Sequence, residues 1–308
     1  MKILFWFLII PGFLFTSTVG LLASWIDRKV TARVQWRVGP PVLQPFIDVV
    51  KLLGKETILP RTADKITFLT APVLGLVSIT LISTILWVMI ADPKVGFLGD
   101  LIVLVYLLAI PSISVIMGGF ASGNPIASIG ASREMKLLLS YELPFVLAVF
   151  VPVIKAGGII RIGELLSIQA QSGAFATNIS GFIALVVAII CMQAKLALVP
   201  FDMAEAETEL IGGPIIEYSG TPLAIFKLTR ASMLFTVPMF LVVIFMGGIV
   251  LSFPGIIWGI LKYVLLLVII VLIRNTNPRI RIDQAVKFFW GPVTVLAILA
   301  VVLAFIGV

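Results

Sequence analysis

Long apolar runs separated by short charged segments dominate the chain. Runs of about 20 residues, the length a helix needs to cross bilayer hydrocarbon, fall at about 3–24, 66–91, 99–121, 137–154, 179–199, 222–250, 255–273 and 290–307. They predict an all-α, polytopic integral membrane protein with about eight transmembrane helices, organised as one membrane domain over 1–308. Pro111, Pro144, Pro152, Pro200 and Pro238 lie inside or at the ends of these runs. Such breaks survive in lipid where neighbouring helices or water satisfy the freed backbone groups, so several kinked or broken helices are expected. The opening MKILFWFLIIPGFLF has the look of a signal peptide, but its apolar run continues to Trp25 and meets a dense basic segment. That is the pattern of a stop-transfer helix, read here as a retained first span.

The segments between the runs carry the polar residues. Segment 25–65 is long for a connector, and connectors of that length are commonly functional. Within it, PFIDVVKLLGKE sets Asp48, Lys51 and Lys55 at helical spacing among apolar neighbours, which predicts an amphipathic helix lying in the membrane interface. Ahead of it, Arg28, Lys29, Arg33 and Arg37 precede a Gly-Pro-Pro turn. A shorter surface helix is expected near 159–169. No internal repeat or low-complexity tract is present.

Composition supports the membrane reading: 60% of residues are hydrophobic, 12% are charged, and the mean hydropathy is +1.19. A soluble domain carries roughly twice that charge. Of the 22 Lys and Arg residues, 17 fall in segments 25–65, 122–136, 195–230 and 274–289. The opposite side holds Lys2, Lys94, Lys155 and Arg161, and Lys262 lies within a span. By the positive-inside rule these four segments face the cytoplasm and both termini face outward, in a plasma membrane. The net charge of +7 therefore sets topology, and with no basic stripe interleaved with aromatics it does not point to nucleic acid. There is no histidine, and Cys191 is the single cysteine. This excludes a bis-imidazole haem, a cysteine-ligated cluster and a His/Cys zinc site built by this chain alone. No metal site is assigned, and Cys191 reads as a small buried apolar residue.

The carboxylates are unevenly spread. Segment 202–217 holds Asp202, Glu205, Glu207, Glu209 and Glu217, a third of the chain's 15 acids. Carboxylates at the edge of a membrane are costly and usually mark an ion or proton path. If the segment is helical, Asp202, Glu205 and Glu209 share one face within a 60° arc at about 100° per residue, and Glu207 points away. Gly212-Gly213-Pro214 then ends the helix, leaving Glu217 free to fold back. Like charges on one face favour proton sharing. A second acid, Glu142 in LLLSYELPFVLAVF, lies inside the fourth run and needs a partner, with Arg133 and Lys136 the nearby cations. No phosphate-binding loop, dinucleotide fingerprint or nucleophile elbow occurs, and without histidine an ordinary catalytic triad is unavailable.

These residues resemble a known family, the H subunit of respiratory complex I (subunit 1 in mitochondria) and its relatives in membrane-bound [NiFe] hydrogenases. The resemblance rests on Asp27-Arg28-Lys29, Arg37-Val-Gly39-Pro40, Gln44-Pro45 with Asp48, Lys51, Lys55-Glu56 and Pro60, then Arg133, Ser140-Tyr141-Glu142 and PFDMAEAETELIGGPIIEYSG. It implies an eight-helix subunit joining a peripheral redox arm to antiporter-like membrane subunits. It further implies a polar channel lined by Glu142, Asp202, Glu205, Glu207, Glu209 and Glu217. Asp27, Arg28, Lys29, Arg37, Gln44, Asp48, Lys51, Lys55, Glu56 and Arg133 would line a chamber or dock partners. No residue is assigned a catalytic role.

Two departures bear on the branch. Complex I members usually have Glu-Arg-Lys where Asp27-Arg28-Lys29 stands here, and a Ser-Asn-Ser-Lys-Tyr type stretch where this chain reads ASGNPIASIGASREM. The latter resembles hydrogenase-linked and related ferredoxin-dependent members and counts against quinone as the acceptor. The leading expectation is thus a membrane anchor and ion-coupling subunit of a group 4 [NiFe] hydrogenase-like complex. Ferredoxin would supply electrons, the [NiFe] centre and iron–sulfur clusters would sit in peripheral large and small subunits, and H⁺ or Na⁺ would be moved. A sulfur-reducing relative, a complex I quinone-chamber subunit, a stand-alone cation/proton antiporter and a passive anchor are the alternatives.

Overall fold

The computed structural model describes residues 2–307, except for the side chains at 2–4, 207 and 208. Among the described residues the regular structure is entirely helical. The first span is α1 (Lys2–Leu8) and α2 (Phe13–Val34), interrupted next to Pro11. A surface helix α3 (Gln44–Leu53) follows, then α4 (Lys65–Ala91). The third span is split into α5 (Asp100–Leu107) and α6 (Ile110–Ala121), the second beginning with Pro111 in its first turn. Proline lacks the N–H that would continue the ladder, so the break falls there.

Next come α7 (Pro125–Lys155), the surface helix α8 (Ile162–Ser172) and α9 (Ile179–Lys195). A short α10 (Glu207–Leu210) sits in the acidic segment ahead of α11 (Gly220–Phe245) and α12 (Phe253–Thr276). The last span is α13 (Ile282–Phe288) and α14 (Thr294–Ile306), joined by a π-helical turn over Phe289–Val293 that contains Pro292. There the Thr294 hydroxyl donates to the Phe289 carbonyl at 2.6 Å, supplying a partner beside the proline. Among the described residues, seven helices or helix pairs are long and apolar enough to span a membrane. The 17-residue α9 is the eighth apolar helix, about 25 Å long at 1.5 Å per residue.

Helix α11 is the axis of the bundle, its side chains buried along nearly its whole length. It packs on α2, α4, α3, α12 and α9, while α7 packs on α6, α9 and α14. Lipid tails are as apolar as leucine, so close packing rather than hydrophobic exclusion holds such helices together. Gly20 on α2 shows this: a Cβ there would lie 2.6 Å from the Ala231 carbonyl oxygen of α11. Helices α12 and α14 are on the outside of the bundle and leave Phe253, Trp258, Val295 and Phe305 uncovered.

Two helices run beyond the hydrophobic stretches that predict them. Helix α2 continues to Val34, so Asp27, Arg28 and Lys29 sit on its last turns rather than in a free connector. Helix α7 begins at Pro125, capped by the Asn124 side chain, which accepts from the Ile126 amide. Its first three turns are too polar to be seen as part of a span.

Candidate functional site

Glu142 lies midway along α7, facing the C-terminal end of α9. Its partner is Lys195, whose Nζ donates to Glu142 Oε2 at 3.0 Å. The Lys195 side chain is completely buried, and its ammonium stands 4.7 Å from the Phe145 ring centre and 4.9 Å from that of Tyr141. A buried cation persists only when paired, and aromatic faces add attraction. This corrects the pairing expected from proximity in sequence. Arg133 instead donates to Glu209 Oε2 at 2.5 Å and to the Met203 carbonyl at 3.3 Å, and Lys136 is exposed. A lysine inside IICMQAKLALVP is the sequence signal that identifies Lys195.

Lys195 also lines a small cavity of about 30 Å³ together with Ser112, Glu134, Glu205, Thr229 and Arg230. That volume admits a water molecule or two. Glu205 is ion-paired to Arg230 across the cavity. Glu134 is almost wholly buried beside Ser112, whose Oγ lies 3.2 Å from the Tyr141 hydroxyl. Sequence reasoning missed Glu134 as a site residue because it stands among polar neighbours that read as a loop.

Arg230 lines a second and larger cavity, a chamber of about 280 Å³ between α2, α3, α11 and α12. Asp27, Arg28, Asp48, Lys227 and Arg274 form its charged wall. Arg274 Nη1 donates to Asp27 Oδ2 at 2.7 Å, and Arg28 Nη1 to Asp48 Oδ2 at 2.9 Å. Gln44 Nε2 donates to the other Asp48 oxygen at 2.8 Å. The Arg28 hydrogen bond, helped by that of Gln44, holds the Asp48 carboxyl below its ordinary range against the opposing effect of burial. On its far side Glu142 borders an apolar cavity of about 420 Å³ between α5 and α7.

The acidic segment does not form the helix that would put three carboxylates on one face. Residues 196–206 are irregular, and the only helical pieces are the single turn Glu207–Leu210 and a 3-10 turn at Gly213–Ile215. Each of the four acids whose side chains are described instead finds its own distant partner. Asp202 Oδ2 accepts from Arg279 Nη2 at 2.9 Å, Glu205 pairs with Arg230, and Glu209 pairs with Arg133. Burial raises the Asp202 pKa despite Arg279, whereas the Arg133 hydrogen bond lowers that of Glu209. Glu217 Oε1 accepts from Asn124 Nδ2 at 2.5 Å instead of rejoining the other acids. The Glu207 side chain lies outside the described residues.

Gly213 makes the turn beyond this segment possible. It has φ +57°, and a Cβ there would stand 1.9 Å from the Ala204 carbonyl oxygen.

The remaining sequence-predicted residues surround this core at the basic end. The amphipathic α3 buries Val49 and Leu52 and leaves Lys51 exposed. Lys55 and Glu56 follow it, both exposed, while their carbonyls approach Gly220. The Ile58 amide donates to Ser219 Oγ at 3.0 Å, tying the first long connector to the acidic one. Lys29 packs beside Gly39, and Arg37 is exposed. Among the described residues no group of three or more Cys, Asp or Glu is placed to hold a metal ion.

The fold and the site define a polytopic membrane subunit with paired charges gathered at one end and leading inward from a chamber. The chain matches the family described as NADH dehydrogenase over residues 7–305, and it belongs to that family. It is 34% identical over 315 residues to the H subunit of the NADH-quinone oxidoreductase of Brevibacillus brevis, covering 97% of this chain and 92% of that protein. It is likewise 34% identical over 288 residues to the H subunit from Bacillus mycoides, covering 89% of this chain and 84% of that one. A chain of the membrane-bound sulfane sulfur reductase, an archaeal respiratory membrane complex, matches with a TM-score of 0.85 and 28% identity, over 99% of this chain and 100% of that one. This is an H-type membrane subunit of a complex I-like respiratory complex.

Proposed function

We propose that this chain anchors a peripheral redox module in the plasma membrane and couples its turnover to H⁺ or Na⁺ movement through buried carboxylates. The leading form is a [NiFe] hydrogenase-like complex fed by reduced ferredoxin. Its [NiFe] centre and iron–sulfur clusters would sit in peripheral large and small subunits, since this chain has no histidine and one cysteine. Antiporter-like membrane subunits would adjoin it. The basic end would face the cytoplasm and both termini the outside.

One observation carries the coupling role: the charged groups are continuous. Arg230 borders both the chamber and the small cavity, Lys195 borders the small cavity and bonds Glu142, and Glu142 borders the apolar cavity beyond. Such a series of intramembrane charges is too costly to keep for packing alone. The likeness to a chain of the sulfane sulfur reductase supports a branch that does not require quinone. A second reading, quinone reduction at the chamber, is favoured by the identity to the quinone oxidoreductase subunits. The chamber's apolar side, with Leu21, Val49 and Leu234, suits a hydrophobic acceptor, but its 280 Å³ is at the small end for such a site.

The test is to purify the intact complex through a tag on this chain and assay metals and quinone. Nickel with iron and no quinone supports the hydrogenase-like form, and iron with quinone and no nickel moves the assignment to the second reading. Iron with neither indicates a sulfur-reducing relative, and recovery without redox partners overturns the coupling role.

A further inference from the structure

Beside the chamber, on the other side of Arg28 and Arg274, lies a separate cleft of about 260 Å³. Its polar wall consists of Arg28, Thr31, Gln35, Arg37 and Arg274. Arg28 and Arg274 border both spaces, whereas Asp27 and Asp48 border only the chamber. Each of these two arginines commits one nitrogen to its carboxylate, Arg274 to Asp27 and Arg28 to Asp48. A guanidinium has five N–H donors, so both retain donors for the cleft. Arg37 makes no ion pair among the described residues. Three guanidinium groups therefore meet in a space from which the nearby carboxylates are turned away.

The depth of the cleft indicates what could fill it. The apolar part of α2 ends at Ile26, about a turn and a half before Thr31, and Arg274 follows the run LLLVIIVLI on α12. Both helices thus leave the hydrocarbon at this level, where lipid phosphates lie. Trp25 Nε1 donates to the Pro40 carbonyl at 3.1 Å, and Trp36, between the lining residues Gln35 and Arg37, is 98% exposed. Tryptophan is enriched at that boundary. The Asn275 side chain donates to Thr31 Oγ1 at 3.2 Å, which fixes the two helix ends together.

We propose that this cleft binds the phosphate of an anionic phospholipid headgroup. Guanidinium forks match phosphate oxygens in pairs, and basic pockets between transmembrane helices are suited to such headgroups. The proposal requires only that the chain spans a membrane, and it stands or falls independently of the coupling function.

The test is native mass spectrometry of the intact complex released from nanodiscs of phosphatidylglycerol and phosphatidylcholine in equal amounts. The wild type is expected to retain phosphatidylglycerol selectively. Arg37→Gln should cut that retention about fivefold, the contribution of one interfacial arginine. Arg33→Gln, an exposed change outside the cleft, should not. If Arg37→Gln fails to assemble, Arg37→Lys replaces it and should lower retention by losing the fork. Equal retention of both lipids, or no loss in the Arg37 variant, overturns the proposal. Displacement of the lipid by inorganic phosphate assigns the cleft to a soluble anion instead. A photo-crosslinker at position 37 that captures a partner subunit in place of lipid also overturns it.

Discussion

Replacing Glu142 by glutamine separates the structural from the functional meaning of its bond to Lys195. The variant leaves a fully buried ammonium facing two aromatic rings and an amide. Removing one member of a buried pair costs about 3–5 kcal/mol, because the other charge is left uncompensated. The Glu142 side chain is 26% exposed and both ring contacts survive, so the lower end, about 3 kcal/mol, is expected. Lys195→Met should cost less, since the Glu142 side chain left behind is partly exposed whereas Lys195 is completely buried. The double variant buries no charge and should return to within about 1 kcal/mol of wild type. Coupling should behave differently: all three variants are expected to retain electron transfer and lose turnover-linked ion gradients. Thermal unfolding of the purified complex gives the first quantity, and gradient formation in proteoliposomes gives the second. A full gradient in an assembled double variant would show that the pair is only structural. A double variant as unstable as Glu142→Gln would refute the charge-compensation argument itself.

Glu205→Gln removes the carboxylate facing Arg230 and should sever the path between chamber and small cavity. Electron transfer with a collapsed gradient is the expected outcome, and an undiminished gradient would remove Glu205 from the route. Asp202 has a pKa raised by burial, so the folded chain binds its proton at higher pH than the unfolded chain does. Lowering the pH through that raised value should therefore favour the folded state, with no further gain below the unfolded pKa. A carboxyl infrared band titrating above free aspartate, and absent in Asp202→Asn, is the check; a band at or below the ordinary value would contradict it. Gly213→Ala forces a side chain into positive φ, at a cost of about 1–2 kcal/mol. Contact with the Ala204 carbonyl adds to this, so a lowered yield of assembled complex is expected, and unchanged yield and melting would mean the loop rearranges freely.

The spans are legible in the sequence because their apolar runs match the thickness of a bilayer, and α3 is legible because Asp48 and Lys51 mark one helical side, although the helix stops at Leu53, before the Lys55 that the same spacing includes. The polar first turns of α7 are not, since Ser132, Arg133 and Glu134 carry no apolar signal and are held in the helix by packing against α6 and the 213–215 turn. The acidic segment stands out as a site, but its shape does not. Local helix geometry puts Asp202, Glu205 and Glu209 on one face, yet the segment is organised by arginines 77, 25 and 76 positions away. Tertiary charge pairing at that distance leaves no mark in local spacing. Lys195 and Arg230 escape notice for a related reason: each reads as a cation that sets topology, when each faces inward.

That pairing pattern has a bearing on how coupling could work. Isolated acids could exchange protons without any motion of the chain. Here the described carboxylates of the path are mostly held by cations on other elements, so on the proposed reading a charge moves only when a partner is released. Arg274 and Arg279 sit five positions apart at and just beyond the end of α12, and they hold Asp27 of the chamber and Asp202 of the acidic segment. The Ile280 amide also donates to the Pro200 carbonyl at 3.2 Å, at the start of that segment. A displacement of residues 274–280 would therefore loosen a chamber pair and an acidic-segment pair together. The connection runs through contiguous bonds and gives the two ends of the network a shared mechanical element. It places the link between the chamber and the acids in the α12 terminus, a segment that has no acidic residue of its own.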